Sequence, residues 1–148
     1  MQRVRDPANV AAHWAARSHP RPDAVWDEWD GPAGVALLPA GREWDAVALT
    51  YRRVQELAEV DPQLLRHAAI LADLTAWRAY LFIQAGAAAT WDVPGTTPLG
   101  APCLLVASKP GERQHPLGTW VQHPGPRNPL VDAGRLRAAL LRTVEVQP

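Results

Sequence analysis

The chain has 148 residues, 47% of them apolar, and its 15 basic and 15 acidic side chains cancel to a formal charge of zero. That length fits one domain with a core of its own, and the neutral balance argues against the basic excess that phosphate neutralisation demands of nucleic-acid binders. The single Cys103 excludes an internal disulfide and a cysteine-based zinc cluster within one chain.

Splitting the sequence does not change this picture, because residues 1–60 carry 7 basic and 9 acidic groups and residues 61–148 carry 8 and 6. Fourteen of the basic residues are Arg. Beside abundant Ala and Pro, that preference reads as coding bias and not as function. No apolar stretch reaches the ~20 residues of a membrane span, and residues 1–6 lack the apolar run of a signal peptide. The expectation is a cytoplasmic protein.

Asp6-Pro7 is a helix start, with Asp6 as the cap and Pro7 in the first turn, where its missing N–H costs nothing. The spacing predicts a helix over about 7–17, with Val10 and Trp14 inward, ended before Pro20 and Pro22. Residues 22–32 interleave Asp23, Asp27, Glu28 and Asp30 with Trp26 and Trp29. Asp23 is placed to cap a single turn, and the stretch reads as a surface loop pinned by its tryptophans, with an acidic metal site as the sharper alternative.

Residues 34–50 hold two short apolar runs about the turn residues Pro39 to Glu43, and they read as a hairpin of buried strands with Gly41 at positive φ where the chain reverses. Two helices are expected next, over 51–59 and 62–73. Val60-Asp61-Pro62 breaks the run between them, and Arg52, Arg53, Glu56, Glu59 and Arg66 lie on the solvent side. Residues 77–84 are rich in aromatic and β-branched side chains and read as a strand. Residues 87–91 read as a helical turn and 92–102 as a loop. Residues 103–107 read as a buried strand, 117–122 as a short edge strand between Pro116 and Pro124, and about 132–142 as a helix capped by Asp132. The fold class is α+β: one domain over 1–148, with a sheet core at about 34–122. The sheet is expected to be mixed or mostly antiparallel, with about five strands, and covered by helices.

No catalytic constellation stands out. Cys103 sits in an apolar run, where a thiol behaves as a small hydrophobe. The five histidines lack the i, i+4 spacing of a helical zinc site, although His115 and His123 flank the last strand. Phosphate-cradling glycine motifs are missing. Seven tryptophans carry more information: Trp14, Trp44 and Trp77 fall in regular elements and are expected to be buried. Trp26, Trp29, Trp91 and Trp120 lie in or beside loops, where they either anchor the loop or form a contact surface with Arg42 or Arg78.

The series LLPAGREWDAVAL, RAYLFIQAG with Trp91, LGAPCLLVASKP, GTWVQHPG and LVDAGRLRAALL, over roughly 34–141, resembles small actinobacterial proteins related to the N-terminal domain of bifunctional DNA primase/polymerases. The resemblance implies a prim-pol-like fold. That family's catalysis uses an acid pair two residues apart at a strand end, to hold two metals, and a histidine on a later strand. Here Asp45 is followed by the apolar Val47, Glu43 precedes the strand, and residues 78–84 contain no histidine, so the fold is implied without the polymerase.

The expected function is a non-catalytic interaction or regulatory domain that takes a protein partner through Arg42, Asp45, Arg78, Trp26, Trp29, Trp91 and Trp120, with no cofactor or metal. The alternative is a prim-pol-like protein binding nucleotides or single-stranded nucleic acid, with residual Mg-dependent nucleotidyl transfer through Glu43, Asp45 and Asp27 or Asp30. That alternative requires those carboxylates to converge.

Overall fold

The computed structural model describes residues 6–146. Within them the chain forms four α-helices and seven strands, all antiparallel, in a five-stranded and a two-stranded sheet. This is the α+β class expected from the sequence.

The first helix, α1 (Pro7–Ala16), is capped as expected, its Asp6 carboxylate accepting from the Ala8 amide at 3.0 Å. Its buried face is made by Ala11, Ala12, Ala15 and Ala16, and Trp14, half-buried, points inward as expected, stacked on Trp44 and edge-on to Phe82, while Val10 is half-buried. Four methyl-sized side chains let the helix backbone approach its neighbours closely. The acidic stretch forms a full helix, α2 (Pro22–Asp30), longer than one turn; its cap residue is Arg21, not Asp23, and Pro22 supplies the first turn. Val25 and Trp29, four residues apart, bury one face of it.

Strands β1 (Val35–Pro39) and β2 (Asp45–Thr50) do not pair, which corrects the expected hairpin. Gly41 does take positive φ, at 103°, and its amide donates to the Trp44 carbonyl. The chain nevertheless leaves the plane of the sheet there. β1 joins β6 (Leu104–Ser108) in the two-stranded ribbon, and β2 lies between β4 (Arg78–Ile83) and β5 (Thr97–Leu99). Burial explains the choice. Residues 45–49 of β2 are all buried, so the strand needs cover on both faces and a partner on each edge. β1 buries Ala36 and Leu38 but leaves Leu37 40% exposed, which suits an outer ribbon.

Only one helix follows β2: α3 (Tyr51–Val60). The expected second helix is a run of turns followed by strand β3 (Ile70–Asp73). Ile70, Leu71 and Ala72 are buried in succession, as both faces of a central strand require and one face of a helix does not. β5 interrupts the expected loop, with Pro98 tolerated because β5 is at the sheet edge. β7 (Thr119–Gln122) forms the opposite edge, giving the order β5-β2-β4-β3-β7.

Two cores result, one on each face of the large sheet. Ala46, Leu71, Phe82 and Trp120 face α1, α2 and the β1–β6 ribbon. Val47, Leu49, Leu81 and Ile83 face α3 and the last helix, α4 (Ala133–Val146). Asp132 caps α4 through the Arg135 amide at 2.8 Å, and Leu136, Ala139 and Leu140 are its buried stripe. Arg53 departs from the expected solvent face. It is half-buried and donates to Pro94 O at 2.8 Å, Leu140 O at 3.1 Å and Thr143 Oγ1 at 3.2 Å, tying α3 to α4. Among the described residues no helix is long and apolar enough to cross a membrane.

Candidate functional site

Asp45 opens β2 and is 2% exposed. Its Oδ2 accepts from the amides of Gly86 at 2.8 Å and Ala88 at 2.9 Å, at the start of the 3-10 turn Ala87–Thr90. A carboxylate there satisfies two amides that the turn itself leaves unpaired, and Gly86, at φ 94°, provides the left-handed entry. Its Oδ1 has no hydrogen-bond partner. Asp45 is also at the bottom of a shallow cleft of about 380 Å³ walled by Gly41, Gly86, Ala88, Gly100 and Ala101. This wall offers no second acid and no base.

The other polar residues singled out in the sequence are not gathered there. Arg42 and Glu43 are exposed on the turn before β2, and Asp27 and Asp30 are exposed on α2. Arg78 pairs in register with Thr50 and Asp73, whereas Asp45 pairs with Ile83, so Arg78 and Asp45 mark opposite ends of the β2–β4 ladder. Five residues of strand put them about 17 Å apart. Among the described residues no three of His, Cys, Asp and Glu are grouped as a metal ion would need. The convergence of carboxylates that the nucleotidyl-transfer alternative requires is therefore not seen among them.

The four loop tryptophans do not share a groove. Trp29 is 6% and Trp120 4% exposed, and their indole N–H groups donate to Ala107 O at 3.1 Å and Ser108 O at 2.7 Å. They pin α2 and β7 onto β6. Trp26 is half-buried, edge-on to Trp29, with the Lys109 ammonium 4.7 Å from its ring centre. Trp91 is packed against the core on the other side of the sheet and donates to Thr96 Oγ1 at 2.8 Å. His115 Nδ1 and His123 Nε2 accept backbone amides of Leu117 and Gly111. Cys103 is half-buried and precedes β6 instead of lying within it.

The exposed tryptophan is one the sequence placed in the core. Trp77 closes the turn from β3 to β4, is 56% exposed, and has φ 54°, the one positive φ outside glycine among the described residues. Bulky side chains rarely occupy that region. The turn is built by Asp73, whose Oδ1 accepts from the amides of Thr75 and Ala76 and from the Thr75 hydroxyl. The Thr75 hydrogen bond holds the Asp73 carboxyl below the usual carboxylate range. Trp77 stacks on Tyr51 with centroids 4.8 Å apart and planes at 22°, and its carbonyl accepts the Tyr51 amide at 3.0 Å. On the other side Leu74 donates to Pro116 O at 2.8 Å, which brings Leu117 alongside.

Strand order turns these contacts into a row. Tyr51 follows β2, Trp77 precedes β4, Leu74 follows β3 and Leu117 precedes β7, so all four stand at one end of four adjacent strands. Leu74 is 38% and Leu117 41% exposed, and Arg78 follows Trp77 at the start of β4. Three strand spacings of about 4.8 Å make the row ~14 Å long. The local signal was Asp73-Leu74-Thr75, an Asp with a hydroxyl residue two positions on, which favours an Asx turn over a continued helix.

Comparison with known proteins adds no relative, since no family model, no curated protein and no solved structure matches this chain.

Proposed function

We propose that the protein is a non-catalytic interaction domain that holds a partner protein against the apolar row Tyr51, Trp77, Leu74 and Leu117. The observation that carries this reading is Trp77 itself. Holding a tryptophan in the left-handed region costs about 1–2 kcal/mol, and Gly or Asn would close the same turn without that cost. The large ring is then left mostly in water, stacked so that it projects from the end of the sheet in one orientation. Rigid Trp and Tyr are among the side chains that dominate binding energy at protein interfaces. Of the residues expected from the sequence to contact a partner, Arg78 alone adjoins this row along the chain, following Trp77.

On this reading the likeness to primase/polymerases is one of scaffold, and the protein works in the cytoplasm without a cofactor. The capping role of Asp45 Oδ2 supports that separation, together with the lack of a second acid in the cleft wall beside it. The test is affinity capture with intact protein, followed by purification of the captured partner and a direct titration against it. Wild type is expected to bind it and Trp77→Gly to lose at least tenfold in affinity while remaining folded. Unchanged affinity in Trp77→Gly refutes the docking row. Nucleotide turnover that disappears in Asp45→Asn refutes the non-catalytic reading.

A further inference from the structure

A second surface, at the opposite end of β7, carries an inference independent of the docking row. Gln122 closes β7, and its side-chain amide donates to both Leu65 O and Ala68 O at 2.6 Å. Those two bonds fasten the turns after α3 to the edge of the sheet. Arg66 and His67, on the same turns, are thereby held beside His123 and the loop that follows β7. Together with Gly125, Pro126 and Arg127 they line a cleft of about 220 Å³.

The charge in this cleft is of one sign. Two Arg and two His line it, and no carboxylate does. None of the ion pairs among the described residues involves Arg66 or Arg127, and the Arg66 guanidinium reaches only the Gln63 side chain, at 3.4 Å. In a chain whose total charge is zero, that segregation leaves a local positive potential without an internal counter-charge. The donors also have defined directions. His123 Nε2 accepts the Gly111 amide, so its remaining N–H is on Nδ1. A guanidinium fork matches the oxygens of phosphate in pairs. At about 220 Å³ the cleft has room for a tetrahedral oxyanion.

We propose that this cleft binds a phosphate group, with Arg66 and Arg127 as its main contacts and His67 and His123 as further donors. The group could arrive as the free ion or attached to a larger molecule. The test is an NMR titration of the intact protein at fixed pH and ionic strength, following the His67 and His123 imidazole signals. Inorganic phosphate, O-phosphoserine and sodium chloride are compared. Saturable shifts with either phosphate compound, and none with chloride, are expected. Tighter binding of O-phosphoserine identifies an attached phosphoryl group as the source, and tighter binding of inorganic phosphate identifies the free ion. Arg66→Gln and Arg127→Gln, both at exposed positions, should each weaken binding, and together raise the apparent Kd at least tenfold. Arg17→Gln, exposed at the end of α1, should change it less than twofold. Shifts that fail to saturate, that chloride reproduces, or that Arg17→Gln reduces as much as the cleft variants would overturn the proposal.

Discussion

Replacing Trp77 separates the cost of its backbone from the contribution of its ring. A little under half of the side chain is covered, since 56% is exposed. A fully buried aromatic removes 150–250 Å² from water, so the covered part is roughly 65–110 Å², worth about 2 kcal/mol at ~25 cal/mol per Å². The stack on Tyr51 adds about 0.5–1.5 kcal/mol. Trp77→Ala forfeits most of both and keeps a Cβ at φ 54°, so it should destabilise by about 2–3 kcal/mol. Trp77→Gly forfeits the same contacts but removes the ~1–2 kcal/mol left-handed penalty, at a cost of about 0.5–1 kcal/mol in unfolded-chain freedom. Glycine should therefore be more stable than alanine by about 0.5–1 kcal/mol, the reverse of their order at ordinary positions. Urea denaturation of the two variants side by side reads this difference, and in a melt it corresponds to about 1–4 °C. An alanine variant as stable as the glycine variant, or more so, would show that Trp77 is not held in the left-handed region. The argument for a docking residue would then lose its main support.

Asp45→Ala strands the Gly86 and Ala88 amides and should cost about 2–4 kcal/mol. Asp45→Asn keeps one acceptor oxygen and should cost about 1 kcal/mol, so denaturant midpoints must fall in the order wild type, Asn, Ala. Arg53→Met removes three donors that join α3 to the end of α4, and is expected to cost about 1–3 kcal/mol. Amide exchange should accelerate in residues 140–143 ahead of the sheet; uniform acceleration would contradict a local tie. The Arg135 hydrogen bond lowers the Asp61 carboxyl pKa, the Thr75 bond that of Asp73 and the Arg137 bond that of Asp92. Folded values below unfolded ones mean a contribution present above pH ~4 and lost as pH falls through the folded values. Thermal melts between pH 7 and 2 should show that decline, and Arg135→Gln should reduce it. Tyr80 is displaced the other way, upward by burial, so its contribution is complete below pH ~10 and lost as pH rises beyond that. Tyr80→Phe should flatten the alkaline limb.

Local chemistry made much of this fold legible in the sequence. Asp6 and Asp132 cap helices by the interactions their positions imply, because a cap depends on neighbours within three residues. The apolar runs around Asp45–Thr50, Arg78–Ile83 and Leu104–Ser108 are strands, and their alternation with helical stretches carries the α+β class. The five strands of the large sheet are not the five the local pattern offers: β3 and β5 belong to it, whereas β1 and β6 form a separate ribbon. Which strands pair was a tertiary decision. β1 and β2 are neighbours in sequence, yet β2, apolar on both faces, gains more by lying between β4 and β5 than by a local hairpin. Ile70–Asp73 shows the same effect, because a short apolar run fits either period until two flanking strands select one. The tryptophans were sorted by the fold in the same way. Trp29 and Trp120 found carbonyl partners on β6, 78 and 12 residues away respectively, and became anchors. Trp77 was left outside because the β3–β4 turn falls at the end of the sheet. Arg66 and Arg127 meet only because β7 lies beside β3 and its Gln122 fastens the intervening turns. Composition and local pattern determine which elements can form; burial on two faces at once determines their neighbours, and with them the surfaces available to a partner.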